Sequence, residues 1–263
     1  MSASAPGAGG MWRIERYESL PSTSDLCIAR AHAGEAAGLV VLAGRQSGGR
    51  GRAGRVWLSP PGNLALSLLL RPETPLAEAG QWALVAGVTL IEALLAVLPR
   101  AAGRLALTWP NDVMLEGDKL AGILIDSAAG AAGRMAWLVL GFGANLATAP
   151  ELAERPTAAL AGLAPPPSPE TLAAALLERL DAWQAVWRER GFDPLRETWL
   201  RHAHPLGTAL SLIQGARPVT GRFAGLSPTG ALLLDTGDGI EGFSTGDVML
   251  GTASRSAPQV VSK

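Results

Sequence analysis

The sequence predicts an α+β fold that ends in a small SH3-like β-barrel. Short apolar stretches typical of buried strands recur through the first half of the chain, and longer stretches with apolar residues at helical spacing lie between and after them. Beyond His204 the pattern changes to short strands separated by frequent turns. The first two patterns indicate one large domain, and the third indicates the barrel.

The length and composition indicate a chain with a sizeable core. Its 263 residues allow one large domain with a small appendage. A single cysteine, Cys27, cannot form an internal disulfide, which favours the cytoplasm. The net charge of −1 argues against a nucleic-acid binder, and the apolar stretches 64–70 and 83–98 are too short or too interrupted to span a membrane. We expect disordered tails at residues 1–11 and 253–263, without a secretory signal.

Strand and helix patterns alternate through the large domain. We expect strands at residues 12–17, 38–43, 63–70, 104–109, 112–115, 119–126 and 135–142, and helices at 22–33, 76–98, 170–190 and 194–202. Hydroxyl side chains can cap the first helix, and Pro99 ends the second. The strands of the barrel are expected at 208–213, 217–225, 231–234, 240–243 and 248–250.

The segment Gly49–Arg55, called here the Gly-Arg loop, lies in a glycine-rich and proline-rich stretch that cannot hold regular structure throughout. Its glycines satisfy the G-x-G-x-x-G pattern of dinucleotide-binding folds. That pattern requires a helix directly afterwards, whereas the residues after Arg55 lead toward a strand. Its three arginines on a flexible backbone can bind an anionic ligand, and a solvated basic loop is an equally good interpretation.

Three further segments carry residues suited to a site. Trp109–Asp112 (Trp-Pro-Asn-Asp) interrupts two expected strands, so Asp112 can face a site, although a plain turn is the commoner meaning. Lys119 is one of two lysines among 22 basic residues, which suggests a need for a compact ammonium, yet an exposed turn lysine would look identical. Gly141–Asn145 ends an apolar strand with two glycines and an amide, which suits either ligand approach or a bulge.

A structural zinc site and serine-nucleophile chemistry are not expected. His32, His202, His204 and Cys27 do not show the spacing of a structural zinc site, and no Ser-His-Asp arrangement is evident. The histidines are therefore interpreted as surface or core residues.

The order of the segments resembles the biotin protein ligase family, also called biotin–[acetyl-CoA-carboxylase] ligases. In chain order the segments are Ser22-Thr23, Gln46 with the Gly-Arg loop, Trp-Pro-Asn-Asp, Lys-Leu-Ala-Gly-Ile-Leu and Gly-Phe-Gly-Ala-Asn. Each is weak alone, but the ordered set is highly specific. The resemblance extends from Ser19 to Leu250.

The resemblance implies a catalytic domain of the class II aminoacyl-tRNA synthetase/biotin ligase-like kind, with a mixed sheet flanked by helices. We place it at residues 12–204, followed by the SH3-like domain at 205–252. Some family members add an N-terminal winged helix that binds DNA. Because the resemblance begins close to Met1, we expect this chain to lack that domain.

The resemblance also implies the reaction and the partners. Biotin attacks the α-phosphate of ATP, with magnesium present, to give biotinyl-5'-AMP. A lysine of a biotin carboxyl carrier protein, part of acetyl-CoA carboxylase or a related carboxylase, then accepts the biotin. We expect no nucleic acid and no membrane as partner. An open sheet edge beside the site is an expected pairing surface for the carrier or for a second copy of the chain.

By motif match, the family's roles fall on named residues of this sequence. Residues expected to bind biotin are Ser22, Thr23, Gln46, Gly49, Arg50, Arg52, Lys119, Gly122, Gly141 and Gly143. Residues expected to bind the nucleotide are Arg55, Trp57, Asn111, Lys119 and Asn145, and Asp112 is the candidate magnesium ligand. The resemblance makes Lys119 and Arg52 catalytic, because Lys119 would bridge the carboxylate and the α-phosphate while Arg52 holds the adenylate.

This sequence departs from the family at two places. Thr108 stands where the family often has lysine, so one positive charge expected near the polyphosphate is missing. The residues 154–157 offer no tryptophan for the adenine side, which leaves the adenine contact unassigned.

Two alternatives remain: a lipoate-protein ligase, which shares the fold and chemistry, and a non-catalytic regulator that senses biotin.

Overall fold

Two β-sheets, one of eight strands and one of five, organise the chain. The computed structural model describes residues 2–3, 12–151, 156–214 and 217–250. Of the two expected tails, residues 1, 4–11 and 253–263 lie outside the described residues, and Ser2–Ala3 forms a short strand.

The first sheet is mixed, as expected. Its strands are β1 Ser2–Ala3, β2 Arg13–Tyr17, β3 Leu39–Ala43, β4 Leu64–Leu70, β5 Leu105–Thr108, β6 Asp112–Leu115, β7 Asp118–Ala129 and β8 Met135–Ala144. They lie in the order β1-β2-β3-β4-β8-β7-β6-β5. Strands β2 and β3 are parallel and the other neighbours are antiparallel.

Helices cover both faces of this sheet. They are α1 Thr23–His32, α2 Ala79–Val97, α3 Pro169–Arg190 and α4 Asp193–His202. Along β3, Leu39 and Val41 pack with Cys27 of α1, while Val40 and Leu42 face the larger core that contains α2. Burial on both faces explains why β3 is apolar throughout rather than alternating.

Helix α2 is the central helix of the large core. Together with the preceding turn, Leu76–Val97 is long and apolar enough to cross a membrane, but 67% of its most apolar stretch is buried within the fold. The sequence predicted a helix from residue 76; the structure has a 3₁₀ turn at Leu76–Glu78, and the α-helix begins at Ala79.

The second sheet is antiparallel and follows α4. Its strands are β9 Ala209–Gln214, β10 Arg217–Leu226, β11 Leu232–Asp235, β12 Ile240–Phe243 and β13 Asp247–Leu250, in the order β12-β11-β10-β9-β13. This arrangement confirms the SH3-like fold expected for the end of the chain. Near the first sheet, Trp109 Nε1 donates a hydrogen bond to the Gly230 carbonyl at 3.1 Å, and the Trp199 and Phe223 rings are 6.4 Å apart.

The N-terminal end of α1 determines where a cavity can form. Ser22 caps this helix by accepting a hydrogen bond from the Asp25 amide at 3.2 Å. On β8, Trp137 and Val139 pack beneath α1, and the same face of the strand continues through Gly141. The helix therefore does not cover the part of the sheet that extends past its N-terminal turn. Glycines lie at this uncovered surface.

Candidate active site

A cavity of about 420 Å³ lies between the start of α1, the Gly-Arg loop and the uncovered face of β7 and β8. Expected site residues in its wall are Ser22, Thr23, Gln46, Arg50, Arg52, Arg55, Trp57, Asn111, Asp112, Lys119, Gly122, Gly141, Gly143 and Asn145. The fold thus brings segments far apart in sequence into one site.

Gly49 is the expected site residue that lies elsewhere. It is buried inside the Gly-Arg loop, where an added Cβ would overlap the Trp57 carbonyl and lie 2.9 Å from Gln46 Nε2. The loop itself makes a tight 3₁₀ turn at Arg52–Gly54, with Ala53 in the left-handed region at a φ of 54°. No helix follows the turn within this described part of the chain, in agreement with the rejection of a dinucleotide-binding loop.

Two rows of paired residues form the cavity floor. The first row is Ser67, Gly141 and Leu124, and the second is Gly143, Gly122 and Asp112. Rows on one face of a sheet are two residues apart along each strand, roughly 6.6 Å. Trp57 lies on the second row, since a Cβ on Gly143 would overlap its indole nitrogen and one on Gly122 would lie 3.4 Å from its ring.

Hydroxyl and amide groups gather at the first row. Gln46 Oε1 accepts hydrogen bonds from the Thr23 amide at 2.7 Å and from Thr23 Oγ1 at 3.0 Å, and Gln46 Nε2 donates to Ser59 Oγ at 2.9 Å. Ser67 Oγ lies 2.8 Å from Thr23 Oγ1 and 2.9 Å from Ser24 Oγ. This end of the cavity is polar but uncharged.

Sequence reasoning missed Ser24 and Ser67 as cavity residues. A signal was present for Ser67, the one polar residue in the apolar strand Leu64–Leu70. Ser24 was interpreted only as a helix cap, although it and Ser67 are both buried in the cavity wall.

A cationic group lies beside the second row. Lys119 Nζ is 2.7 Å from Asp112 Oδ1 and 5.6 Å from the centre of the Trp57 ring. The Lys119 side chain is 18% exposed and that of Asp112 is 9% exposed, so water screens this ion pair weakly. The ion pair places a compact positive charge directly in the cavity wall.

Arg52 lies over the cavity and connects the Gly-Arg loop to both sheets. Its Nη1 donates to Asn111 Oδ1 at 3.2 Å and forms an ion pair with Asp247 at 3.2 Å, while Nη2 donates to the Gly246 carbonyl at 3.0 Å. Arg55 Nη2 also contacts Asp247, at 2.7 Å. The second sheet therefore completes the cavity through Asp247, which the sequence did not single out.

Arg50 is held by carboxylates from two elements. Its Nε forms an ion pair with Asp25 of α1 at 2.8 Å, and its Nη2 contacts Asp126 of β7 at 2.8 Å. The guanidinium is thus engaged within the protein, and Arg50 anchors the start of the Gly-Arg loop. Its expected role as a ligand of biotin stays a prediction.

Asn145 directly follows β8 and is 1% exposed. Its Nδ2 donates to the Ala158 carbonyl at 3.2 Å, and its Oδ1 is buried without a hydrogen-bond partner among the described residues. Because buried polar atoms normally have partners, this oxygen is suited to accept a hydrogen bond from a ligand.

Thr108 and the histidines lie away from this cavity. Thr108 is 2% exposed, and its Oγ1 is 2.7 Å from His204 Nε2 at the contact between the two sheets. Burial lowers the pKa of His204 and, as the main cause, that of His202. A threonine here therefore takes part in the contact between the sheets.

Two family models match this chain, and both describe enzymes of the protein ligase class. The model of the Biotin/lipoate A/B protein ligase family matches residues 18–144, and that of the Biotin protein ligase C terminal domain matches 207–251.

Individual relatives identify the family. A biotin–[acetyl-CoA-carboxylase] ligase of Paracoccus denitrificans is 40% identical over 74% of this chain and 82% of the relative. One of Mycobacterium tuberculosis is 32% identical over 92% and 91%. The structure of the Aquifex aeolicus biotin protein ligase with biotin and ATP has a TM-score of 0.77 and 26% identity, and the match covers 90% of this chain and 99% of that one. This chain belongs to the biotin protein ligase family.

Proposed function

We propose that the protein is an ATP-dependent ligase that converts biotin to biotinyl-5'-AMP and transfers the biotin to a lysine of a biotin carboxyl carrier protein. One observation carries this proposal. A single cavity joins an uncharged end of hydroxyl and amide groups to a cationic end with Lys119 and Arg52, across a floor of glycines. Such a cavity suits a ligand with a polar head, an apolar body and a carboxylate tail.

The cationic end supports the first chemical step. A biotin carboxylate oxygen bonds to the α-phosphorus of ATP, and the bond from that phosphorus to pyrophosphate breaks. Both reactants are anions, so positive charge must be held where negative charge develops. We assign this role to Lys119, which the Asp112 carboxylate positions at 2.7 Å.

The Gly-Arg loop supports the second step. The carrier lysine nitrogen attacks the biotinyl carbonyl carbon, AMP leaves, and the nitrogen releases a proton to water. Until that happens the mixed anhydride must be shielded from hydrolysis. We propose that Arg52 closes the loop over the adenylate, because it contacts both Asn111 and Asp247 across the cavity.

The remaining assignments follow the position of each residue in the cavity. The proposed biotin contacts are Ser22, Thr23, Gln46, Gly122, Gly141 and Gly143, with Arg50 and Gly49 fixing the loop around them. The proposed nucleotide contacts are Arg55, Trp57, Asn111 and Asn145. Trp57 lies across the glycine row between the two ends, so we expect it to contact biotin as well as the nucleotide.

The residues around Asp112 fit a magnesium ion that is bound mainly by phosphate. Magnesium usually takes one or two protein carboxylates and completes its shell with phosphate and water oxygens. Asp112 offers one such carboxylate in the cavity wall. Among the described residues, no group of three or more His, Cys, Asp or Glu side chains could hold a metal alone. When bound with ATP, magnesium would neutralise phosphate charge.

We infer the wider setting from the proposed reaction. The carrier belongs to acetyl-CoA carboxylase or a related carboxylase, the compartment is the cytoplasm, and nucleic acid and membranes are not partners. We also propose a catalytic unit at residues 12–204 and an SH3-like unit at 205–252. An open sheet edge could pair with a strand of the carrier or with a strand of a second copy of the chain. Light scattering of the protein with and without the carrier would distinguish a complex with the carrier from a homodimer.

Mass spectrometry tests the proposed function. The protein is incubated with a biotin carboxyl carrier domain, ATP, magnesium and equal amounts of biotin and lipoate. We expect one biotinyl group on the carrier and none without ATP. A lipoyl product would establish the lipoate ligase alternative. Tight biotin binding without any product would establish a non-catalytic sensor.

A further inference from the structure

Asn63 is a buried polar residue that does not itself line the cavity. It lies directly before β4 and is 2% exposed. Its Oδ1 accepts hydrogen bonds from three successive backbone amides, those of Leu146, Ala147 and Thr148, at 3.0, 2.9 and 3.2 Å. Its Nδ2 donates to the Thr148 carbonyl at 2.7 Å. One carboxamide therefore holds the first three residues of the segment that follows Asn145.

The chemistry of these contacts suits a carboxamide. Backbone amides can only donate, so the Asn63 atom that faces all three is the oxygen, and the atom that faces the Thr148 carbonyl is the nitrogen. A carboxylate would place a second acceptor against that carbonyl, and an apolar side chain would leave the amides without this partner. The preceding Gly62 permits the close approach, because its φ is 86° and a Cβ on it would lie 2.9 Å from Ala147 Cβ.

The segment that Asn63 holds leads to the cationic end of the cavity. Pro150 lines the cavity two residues further along, and its carbonyl accepts a hydrogen bond from Thr157 Oγ1. Thr157 also lines the cavity, and its backbone is bridged to that of Lys119. Asn63 is thus connected through a short run of backbone to the part of the wall beside Lys119.

We propose that Asn63 is a positioning residue for ATP, which holds residues 146–150 in the conformation that forms the cavity wall beside Lys119. This inference rests on the proposed function and deepens it. Without the carboxamide, the segment would sample other conformations, and ATP would bind only the fraction of molecules in which the wall is formed. The apparent affinity for ATP falls by that fraction, whereas the rate of the chemical step in the assembled complex does not.

Biotin should be affected much less than ATP. The hydroxyl and amide groups at the uncharged end of the cavity are held by hydrogen bonds to one another, and none of these bonds involves Asn63. The proposal therefore predicts a selective loss of affinity for the nucleotide. A general weakening of the fold would not discriminate between the two substrates.

Steady-state kinetics of pyrophosphate release, with biotin and a carrier domain present, tests the proposal in Asn63→Ala. We expect KM for ATP to rise about tenfold or more, with kcat at saturating ATP within about threefold of the wild type. The Kd of biotin, measured by calorimetry without ATP, should change less than about twofold. A purely structural role would instead reduce the fraction of folded protein, which lowers kcat and the binding stoichiometry but leaves KM for ATP unchanged.

Asn63→Asp is the second variant, to be used should Asn63→Ala fail to fold. Its carboxylate keeps an acceptor for the three amides but cannot donate to the Thr148 carbonyl, so KM for ATP should rise about threefold or more. Thr198→Ala is the control, because Thr198 is 3% exposed, makes two side-chain hydrogen bonds within α4 and does not line the cavity. It should leave KM for ATP unchanged.

Three results would overturn the proposal. They are an unchanged KM for ATP in the folded Asn63 variant, an equally large rise in the Kd of biotin, and a rise in KM for ATP in Thr198→Ala. Absence of pyrophosphate release by the wild type with ATP and biotin would instead overturn the proposed function.

Discussion

At the scale of single residues, Lys119 has the most direct role in the proposed chemistry. We predict that Lys119→Ala lowers the rate of pyrophosphate release roughly 100-fold or more, as loss of one preorganised donor does in other enzymes. Biotin binding should persist, because the hydroxyl end of the cavity does not contain this residue. A pyrophosphate-release assay and calorimetry measure the two effects.

Lys119→Arg is the matched variant for this prediction. It keeps the charge but replaces a compact ammonium with a planar group that fits the Asp112 contact poorly. It should be intermediate in rate. Pyrophosphate release near the wild-type rate in Lys119→Ala would show that Lys119 does not take part in the adenylation step.

Cys27 illustrates a residue whose burial decides its chemistry. Its side chain is fully buried, and desolvation, aided by the nearby Glu15 charge, raises its pKa to about 12. The thiolate is the reactive form, and at pH 8 only about one molecule in 10,000 would carry it. We predict no reaction with a thiol reagent in the native protein and complete reaction in denaturant. Fast labelling of the native protein would contradict this burial.

The sequence indicated the residues of the site better than the contacts between them. Lys119 and Arg52 were assigned from the order of the motifs along the chain, because each motif alone left a plain structural interpretation open. The partners Asp25, Asp126 and Asp247 could not be predicted in this way. These three carboxylates lie on elements that are distant in sequence from the Gly-Arg loop. The residues around a single carboxylate in a strand or helix do not indicate that it will pair with an arginine.

At the scale of elements, strand and helix positions were predicted well because apolar periodicity reports burial directly. The predicted strand 119–126 extends in the structure to Ala129, since β7 pairs with β8 from Ala121 to Ala129. Pairing of this kind depends on the neighbouring strand, and so the periodicity of β7 alone does not fix its end.

The Gly-Arg loop is the element on which retention of the intermediate depends. We predict that Arg52→Gly releases biotinyl-adenylate about tenfold faster or more, which corresponds to loss of one charge-assisted hydrogen bond of roughly 1.5 kcal/mol. Stopped-flow displacement of the adenylate measures this rate. Arg45→Gly is the control, since Arg45 precedes the loop and contacts Ser19 in an exposed position. An unchanged rate of adenylate dissociation in Arg52→Gly would show that Arg52 does not hold the loop closed.

Asp247 gives a second test at the same scale. Asp247→Asn removes the charge that holds Arg52 and Arg55 while keeping the side-chain size. We predict faster adenylate release than in the wild type, but a smaller change than with Arg52→Gly, because Arg52 retains Asn111 and the Gly246 carbonyl. Release as slow as in the wild type would show that the second sheet does not hold the loop.

At the scale of the whole molecule, the contact between the two sheets contains a titratable group. His204 follows α4, and its Nε2 lies 2.7 Å from Thr108 Oγ1 at the end of β5. Burial lowers the pKa of His204 below its ordinary value of 6.5. The folded protein therefore binds this proton less readily than the unfolded chain does.

The sign of the pH effect follows from that difference. Below pH 6.5 the unfolded chain takes up a proton that the folded protein resists, so the free energy of unfolding decreases as the pH falls through the window between the unfolded and folded pKa values. We predict that denaturant unfolding shows lower stability at pH 5.5 than at pH 7.5. In His204→Gln, which keeps a polar group for Thr108, the decrease should be smaller but not absent, because burial also lowers the pKa of His202. An equal decrease in both proteins would show that protonation of His204 does not weaken the contact between the sheets.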